Sequence, residues 1–221
     1  MKKTSYYGNS WIGMFACTNN EHTFVPVDSD QKFLDALKGN LQTECTKISI
    51  AGSNILGLYI VMNSTGLVVP NVVEEKEVEL LKKTGLNVYV SEDIHNANGN
   101  NIVVNDKGGI ISQRISREEI KKIEDVMGVE MIPLSIAKYS TVGSVCITTN
   151  KGFLAHYACT DDGMKVIESA LKVPGNKGTM NMVVGFVSLG VIANEKSYVV
   201  GELTTAFEMG RLEESLGFLN D

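Results

Sequence analysis

The sequence predicts an α/β fold made of five similar units whose array closes on itself. Three observations lead there. A pattern of two apolar stretches, a turn between them and a helix after them recurs about every 44 residues, a period that marks repeat architectures. Its clearest copy opens at Gly57, and the pattern returns at Gly13, Asn100, Gly143 and Gly190, in steps of 44, 43, 43 and 47 residues. Strand patterns alternate with helical ones along the chain, which gives the α/β class. Finally, residues 4–7 read as a strand that closes a unit: Ser5 and Gly8 keep the offset of Ser49 and Gly52 at the end of the first unit. The fifth unit, whose helix is followed shortly by Asp221, is the expected recipient of that strand.

Each unit is expected to run strand, turn, strand, helix, strand. In the first, strands are predicted at 12–18 and 23–27, Asp28 and Ser29 are N-cap types, and Phe33, Leu34 and Leu37 form an apolar stripe ended by Gly39. The second has a strand at 57–62, a turn at Asn63-Ser64-Thr65-Gly66, a strand at 67–70, an acidic helix over 74–84 stopped by Gly85, and a closing strand at 88–90. In the third, 102–104 and 110–111 flank the turn 105–109, and Ser116-Arg117-Glu118-Glu119 reads as a capping box. Ile120, Ile123 and Met127 then share one face, and Gly128 ends the helix. The fourth has a strand at 144–148, a turn at 150–152, a strand from Phe153 and a helix from Thr160, with Met164, Ile167 and Leu171 inward and Pro174 barring continuation. The fifth has strands at 191–193 and 198–200 and a helix from Thr204-Thr205, with Met209, Leu212 and Leu216 inward and Gly217 as its stop. Leu34, Leu80, Ile123, Ile167 and Leu212 are placed in register midway along the five helices, at steps of 46, 43, 44 and 45 residues.

An open array of five would expose an apolar flank at each end, and neither end unit is polar enough to cap it. Closure through the displaced N-terminal strand removes both flanks. The expected organisation is one domain over 1–221, with units at about 8–51, 52–95, 96–138, 139–181 and 182–221, residues 1–7 as the closing strand, and the helices outside.

Composition excludes several classes. Hydrophobic residues make up 43 % and charged residues 21 %, ordinary for a soluble globular chain. The longest apolar run, 182–193, has 12 residues, short of the 18 or more that a membrane span needs. No apolar segment follows Met1-Lys2-Lys3, so no secretory signal is read and the expected location is the cytoplasm. The net charge of −6 argues against a sequence-blind grip on nucleic acid and suits docking on a basic protein. Cys17, Cys45, Cys146 and Cys159 form no C-x-x-C pair and read as free thiols, with no metal and no cofactor expected. Asn63-Ser64-Thr65 matches a glycosylation acceptor but reads as a hairpin turn.

Gly8-Asn9-Ser10-Trp11-Ile12-Gly13, Gly66-Leu67-Val68-Val69-Pro70-Asn71, Gly99-Asn100 with Asn105-Asp106, and Gly201-Glu202-Leu203-Thr204-Thr205 together resemble the translation initiation factor 6 family over the full length. With no long tail after the fifth helix, the chain is most similar to the archaeal branch. The resemblance implies the pentein fold, a five-fold pseudosymmetric α/β propeller. It also implies a non-enzymatic monomer that binds the large (50S) ribosomal subunit and blocks premature joining of the small one. The partner it implies is a basic ribosomal protein near the sarcin–ricin loop. Two departures stand out: Ile111-Ser112-Gln113 replaces a Val-His-Pro-like sequence, and Gly201-Glu202-Leu203 alters the approach to the Thr pair.

Other penteins are enzymes that modify guanidino groups and need a nucleophilic Cys, an acid/base His and carboxylates. Here His22 and His156 lie in a turn or second strand, His95 lies in a polar connector, and the fifth unit has neither Cys nor His. Cys159 follows His156 by three residues, a spacing that puts them on opposite faces of an extended stretch. Gly175-Asn176-Lys177-Gly178 is too short for a P-loop. The expected activity is therefore binding, to the ribosome or, in a second reading, to another protein partner.

In a closed array the unit-opening turns, at Asn9, Asn54, Asn100, Thr141 and Phe186, are expected to share one face. The fifth differs, with Met182-Val183-Val184-Gly185-Phe186 placing apolar residues where the others are polar. Phe186 reads either as a core residue or as an apolar patch for a partner. The resemblance implies contact through the opening turns of the third to fifth units, hence Asn100, Val145, Gly185 and Phe186, with Asn9, Asn54 and Thr141 on the same face. Many relatives carry an aromatic at the Val145 position.

Overall fold

The structure, a computed structural model, describes residues 2–219. Met1, in the predicted closing strand, and Asn220 and Asp221, at the end of the predicted fifth unit, lie outside the described residues.

The strands form five three-stranded sheets. In chain order they are Cys17–Thr18, His22–Pro26 and Glu44–Ile48; Val61–Met62, Gly66–Pro70 and Asn87–Ser91; Ile102–Val104, Gly109–Ser112 and Met131–Leu134; Cys146–Thr148, Phe153–His156 and Gly175–Gly178; Val191–Ala193, Tyr198–Gly201 and Lys3–Thr4. In every sheet the second strand is central, antiparallel to the first and parallel to the third. A parallel neighbour needs a crossover. Within the chain that crossover is a helix: Gln31–Leu41, Glu75–Lys82, Arg117–Met127 and Asp161–Leu171 serve the first four sheets. The fifth helix, Ala206–Ser215, follows the last central strand, and the partner of that strand comes from the N-terminus. Lys3 faces Val200 and Thr4 faces Gly201, so the displaced strand completes the fifth sheet as expected. It is shorter than predicted; Tyr6 already belongs to a separate bridge with Asn9.

Burial falls into five clusters, each shared by two neighbouring sheets and the helix between them. Ile102, Ile111 and Ile123 pack with Val61 and Val68; Phe153 and Ile167 pack with Val103 and Ile110. The last cluster joins the chain's ends: Ile192 and Val199 of the fifth sheet pack with Tyr6, Ile12, Phe33 and Leu37. The fold thus has a core at each of five seams, which we number by the sheets they join. Leu37, Leu81, Ile123, Ile167 and Leu212 anchor them, each seven residues beyond its helix N-cap and no more than 1 % exposed. Leu34 and Leu80, the expected residues in the first two helices, are out of phase. They flank the anchors in runs where several neighbours are apolar, and only the cap fixes the phase.

The opening strands predicted at 12–18, 57–62 and 144–148 start late. Each begins as a helical turn: Ile12–Met14, Leu56–Tyr59 and Val142–Val145, joined by Asn98–Asn101 and Val187–Gly190 in the other two copies. Short apolar runs do not tell strand from helix by periodicity. Close packing decides it here. A Cβ at Gly57 would lie under 3 Å from the Gly13 carbonyl oxygen; Gly99 meets Gly57, Gly143 meets Gly99, and Gly13 meets Ser188 in the same way. At the fifth position Ser188 donates its hydroxyl to the Gly143 carbonyl. This circuit of Gly13, Gly57, Gly99, Gly143 and Ser188 returns to its start. It corrects the repeat phase: Gly99 and Ser188, not Asn100 and Gly190, are the equivalents of Gly57.

Two helix ends also differ. The first helix is capped by Asp30, whose carboxylate accepts from the Phe33 N–H, and it runs past Gly39 to Leu41, where Gln42 turns left-handed. The Ser116 hydroxyl accepts from the Glu119 N–H as a cap should. The Glu119 carboxylate, however, does not return to Ser116; it reaches Ser91, Tyr89 and the Glu92 N–H on the preceding sheet. Among the described residues no helix is long and apolar enough to cross a membrane.

Candidate functional site

The five opening turns touch one another in sequence around the circuit and form one end of the molecule. Each is preceded by a residue with φ between −86° and −78° and ψ between 56° and 69°: Trp11, Ile55, Ala97, Thr141 and Phe186. These are the true equivalents. Of the predicted set, Thr141 and Phe186 hold this position, and the rest fall at other phases. Asn9 is exposed at a turn tip, where its Oδ1 accepts from the Trp11 N–H. Asn54 directly precedes Ile55 and donates to Asp28 at 3.1 Å. Asn100 lies inside the third turn, half-buried.

Two predicted contact residues offer no side-chain surface. Val145 is 0 % exposed and packs in the core of the third–fourth seam, because the last residue of its turn faces between the sheets. Gly185 is buried against His156, whose ring occupies the space a Cβ would need. Their part at this end is to let neighbours pack closely.

The third turn is chemically unlike the others. Its first residue, Asn98, is 2 % exposed where the other four turns carry Ile12, Leu56, Val142 and Val187. The Asn98 Nδ2 and the Asn100 Oδ1 are both buried without a protein partner, two of five such side-chain atoms among the described residues. Buried polar groups are nearly always paired, so two open atoms on one four-residue turn set it apart from the other four.

The fifth turn adds an aromatic cluster. Phe186 packs on the third–fourth core and meets Tyr139 edge-on at 5.3 Å. Tyr139 lies 5.2 Å from His156, which stacks on Tyr157 at 4.5 Å. Phe186 is therefore half-buried, with one side in the core and the other against exposed Tyr139. The Nδ1 of His156 accepts from the Ala158 N–H, and burial holds its pKa below the ordinary imidazole value, favouring the neutral form. Sequence reading missed Tyr139 and Tyr157, since lone tyrosines after a strand carry no periodic signal.

The loop before Phe186 is strained. Asn181, Met182 and Val183 are consecutive left-handed residues, with φ of 51°, 65° and 71°. Such conformations persist where surrounding contacts over-determine them. Here the Glu208 carboxylate accepts from the Met182 and Val183 N–H groups. Met182 and Val183 side chains stand 62 % and 74 % exposed, which adds apolar area beside the aromatic cluster.

The opposite end is polar and serves assembly. Asn63 closes its own hairpin by accepting from Thr65 and Gly66, and donates to the Asn105 and Met127 carbonyls on the next unit. Asn19, Asn105 and Asn194 do the same toward their neighbours. Burial pushes the Cys17 thiol up to about 12 and raises those of Cys45, Cys146 and Cys159, which keeps all four protonated. No group of His, Cys, Asp and Glu suited to hold a metal occurs among the described residues.

Comparison with known proteins agrees over the whole length. The model of the eIF-6 family matches residues 1–215. The chain is 36 % identical over 219 residues to translation initiation factor 6 of Picrophilus torridus, covering 98 % of this chain and 99 % of that one. Translation initiation factor 6 of Thermoplasma acidophilum is 36 % identical over 216 residues, with 98 % and 99 % covered. That of Pyrobaculum aerophilum is 34 % identical over 211 residues, with 96 % of each covered.

Proposed function

The chain belongs to the eIF-6 family of translation factors, and on that footing we propose that it binds the large ribosomal subunit and keeps the small subunit from joining prematurely. In this reading it is a non-enzymatic monomer that works in the cytoplasm, in initiation and in subunit maturation. Its five sheets form one domain over 1–221, a pentein propeller closed by the N-terminal strand.

The observation that carries the docking assignment is the third opening turn. The Asn98 Nδ2 and the Asn100 Oδ1 have no protein partner within the fold, which leaves polar atoms of this turn open to a docked molecule. The docking face in this reading is the opening-turn end. Asn100 and Thr141 supply polar contacts, and Phe186, with Tyr139, Met182 and Val183, supplies an apolar centre. Val145 and Gly185 act behind that surface. Asn9 and Asn54 belong to the rim. The partner is a basic ribosomal protein near the sarcin–ricin loop, which suits the net charge of −6.

Co-sedimentation with purified large subunits tests this. Asn100→Ala and Phe186→Ala, made singly, are expected to weaken binding by about 1–3 kcal/mol, the range of interface hot spots. Glu79→Ala, exposed on the second helix, is expected to leave binding unchanged. Folded Asn100 and Phe186 variants that bind like the parent refute this face. A parent protein that binds subunits without slowing their association refutes the anti-association role.

A further inference from the structure

Three of the five helices carry a glutamate three residues beyond the N-cap, and each buries its carboxylate in the same cradle on the preceding sheet. Glu77 accepts from the Ser49 hydroxyl at 2.7 Å and the Ala51 N–H at 2.9 Å. Glu119 accepts from the Ser91 hydroxyl at 2.7 Å and the Glu92 N–H at 3.2 Å. Glu208 accepts from the Thr179 hydroxyl and the Val183 N–H, both at 2.9 Å. In all three the cradle combines a hydroxyl, an inward backbone N–H and a helix N-terminus, which favour an anion; at Glu77 and Glu208 that N–H belongs to a left-handed turn, at 51–52 and 181–183, and at Glu119 it does not.

The other two seams depart from this. At the fifth–first seam the position is Phe33, which fills the space and meets Tyr6 edge-on at 5.4 Å. At the third–fourth seam the position is Gly163, and nothing fills the space fully. The cradle itself is intact. Ala137 and Lys138 have φ of 48° and 72°, against 51° and 73° at Ala51 and Gly52. Ser135 stands where Ser49 and Ser91 stand, and Thr160 caps an 11-residue helix. A cavity of about 540 Å³ opens there, lined by Ser135, Ala137, Lys138, Cys159, Thr160 and Gly163 among others. The Cys159 thiol occupies part of it: the thiol takes a hydrogen bond from the Ala137 N–H and lies 3.0 Å from where a Gly163 Cβ would be. A thiol is a weak acceptor and a poor substitute for the carboxylate that the same kind of turn holds at Glu77 and Glu208.

We propose that this cradle is a carboxylate-binding site, and that it takes the side chain of an acidic residue on a protein partner. Gly163 omits a side chain of glutamate length, so the space left matches one. Lys138, which forms no ion pair among the described residues, adds a positive charge at its mouth. The cradle is continuous with Tyr139, the residue after Lys138, and so with the aromatic cluster around Phe186. The inference rests on the repeat geometry and holds whether or not the ribosome is the partner.

The test is a ¹H–¹⁵N titration of the full chain, reading the Ala137, Lys138 and Gly163 amides. The probes are propionate, a capped Gly-Glu-Gly peptide and the matching Gly-Gln-Gly peptide. Saturable shifts are expected with propionate and the Glu peptide and not with the Gln peptide. In G163E the Ala137 and Lys138 amides are expected to start at the bound position and lose their response. G163E should also melt above G163Q, which has similar helix propensity without the charge. Absence of a saturable response in the parent chain, or an undiminished response in folded G163E, overturns the site. A response to propionate with none to the Glu peptide overturns a protein side chain as its occupant.

Discussion

Replacing Glu208 with Gln isolates the charge that holds the strained loop before Phe186. Glu208 is 3 % exposed, and its two oxygens accept five hydrogen bonds: from the N–H groups of Met182, Val183 and Thr205 and the hydroxyls of Thr179 and Thr205. A glutamine keeps the size and most of the helix propensity. Its NH₂, however, must face donors on one side, so at least one backbone N–H loses its acceptor while the neighbouring threonine hydroxyl turns to accept from the NH₂. Each buried donor left unpaired costs about 1–3 kcal/mol, and the bonds that remain weaken because the acceptor is neutral. The expected loss is about 2–4 kcal/mol at neutral pH, a large share of the roughly 5–15 kcal/mol that holds a typical domain together. Urea unfolding followed by far-UV circular dichroism reads it directly. Glu214→Gln, exposed on the same helix, serves as control and should stay within about 0.5 kcal/mol of the parent.

The pH dependence of that difference is fixed in sign. Burial alone raises the Glu208 carboxyl, but the Thr205 and Val183 N–H groups and the Thr179 and Thr205 hydroxyls outweigh it and hold the pKa below the ordinary value. A depressed native pKa gives stability that is fully present above the unfolded value, about 4.3, and lost as pH falls through the native one. The gap between parent and E208Q should therefore narrow below about pH 4. A gap under about 1 kcal/mol at neutral pH, or one that widens on acidification, refutes the charged strut.

Three further outcomes follow from the same geometry. Deleting residues 2–7 removes the pairing of Lys3 and Thr4 with the fifth sheet and the stack of Tyr6 on Phe15, 4.2 Å between centroids. Losing several kcal/mol should lower Tm by roughly 10 °C or more, and a shift of only a few degrees would show that closure does not need this strand. Asn98→Val gives the third turn the apolar residue of its siblings and removes an unpaired buried donor, so stability should rise by about 1 kcal/mol in urea unfolding; a loss would mean that Asn98 has a partner inside the fold. Changing Cys17, Cys45, Cys146 or Cys159 singly to Ser should cost stability, most at the two buried positions, and leave subunit co-sedimentation intact; loss of binding by a folded variant would assign the thiol a role.

The features legible in the sequence were those recorded in spacing. The period, the strand–helix alternation and the donation of residues 3–4 to the fifth sheet all leave marks at fixed offsets. Phase was harder. Gly99-Asn100-Asn101 offers a turn residue at three consecutive positions, and only the contact with the Gly57 carbonyl selects Gly99. The burial of Val145 was not legible, because it depends on how the fourth turn sits between two sheets. The glutamate struts were nearly visible. Ser49, Ser91 and Thr179 precede Glu77, Glu119 and Glu208 by 28, 28 and 29 residues, a recurrence that read only as a local cap at Glu119.

The substitutions that break the repeat are distributed so that no seam loses every cross-link. The third–fourth seam lacks the glutamate strut, but Asn105 donates across it to the Thr149 and Leu171 carbonyls. The fourth–fifth seam lacks the asparagine, since Thr149 stands in its place. There Glu208 reaches back, and Ser188, which replaces the glycine of the other turns, adds a hydrogen bond to Gly143 at the opposite end. The fifth–first seam has Phe33 for a glutamate, yet Asn194 donates to Asn19 and Leu41 and Asn181 to Ser10. A cross-link can be given up where its neighbour at the same seam survives, because each seam closes its own core. This makes the asymmetry informative. The unpaired Asn98 Nδ2 and Asn100 Oδ1, and the cradle that lacks its glutamate at Gly163, are departures that nothing in the seams requires. Both lie where opening turns, helix N-termini and closing-strand ends converge, which is where a partner has the most to select.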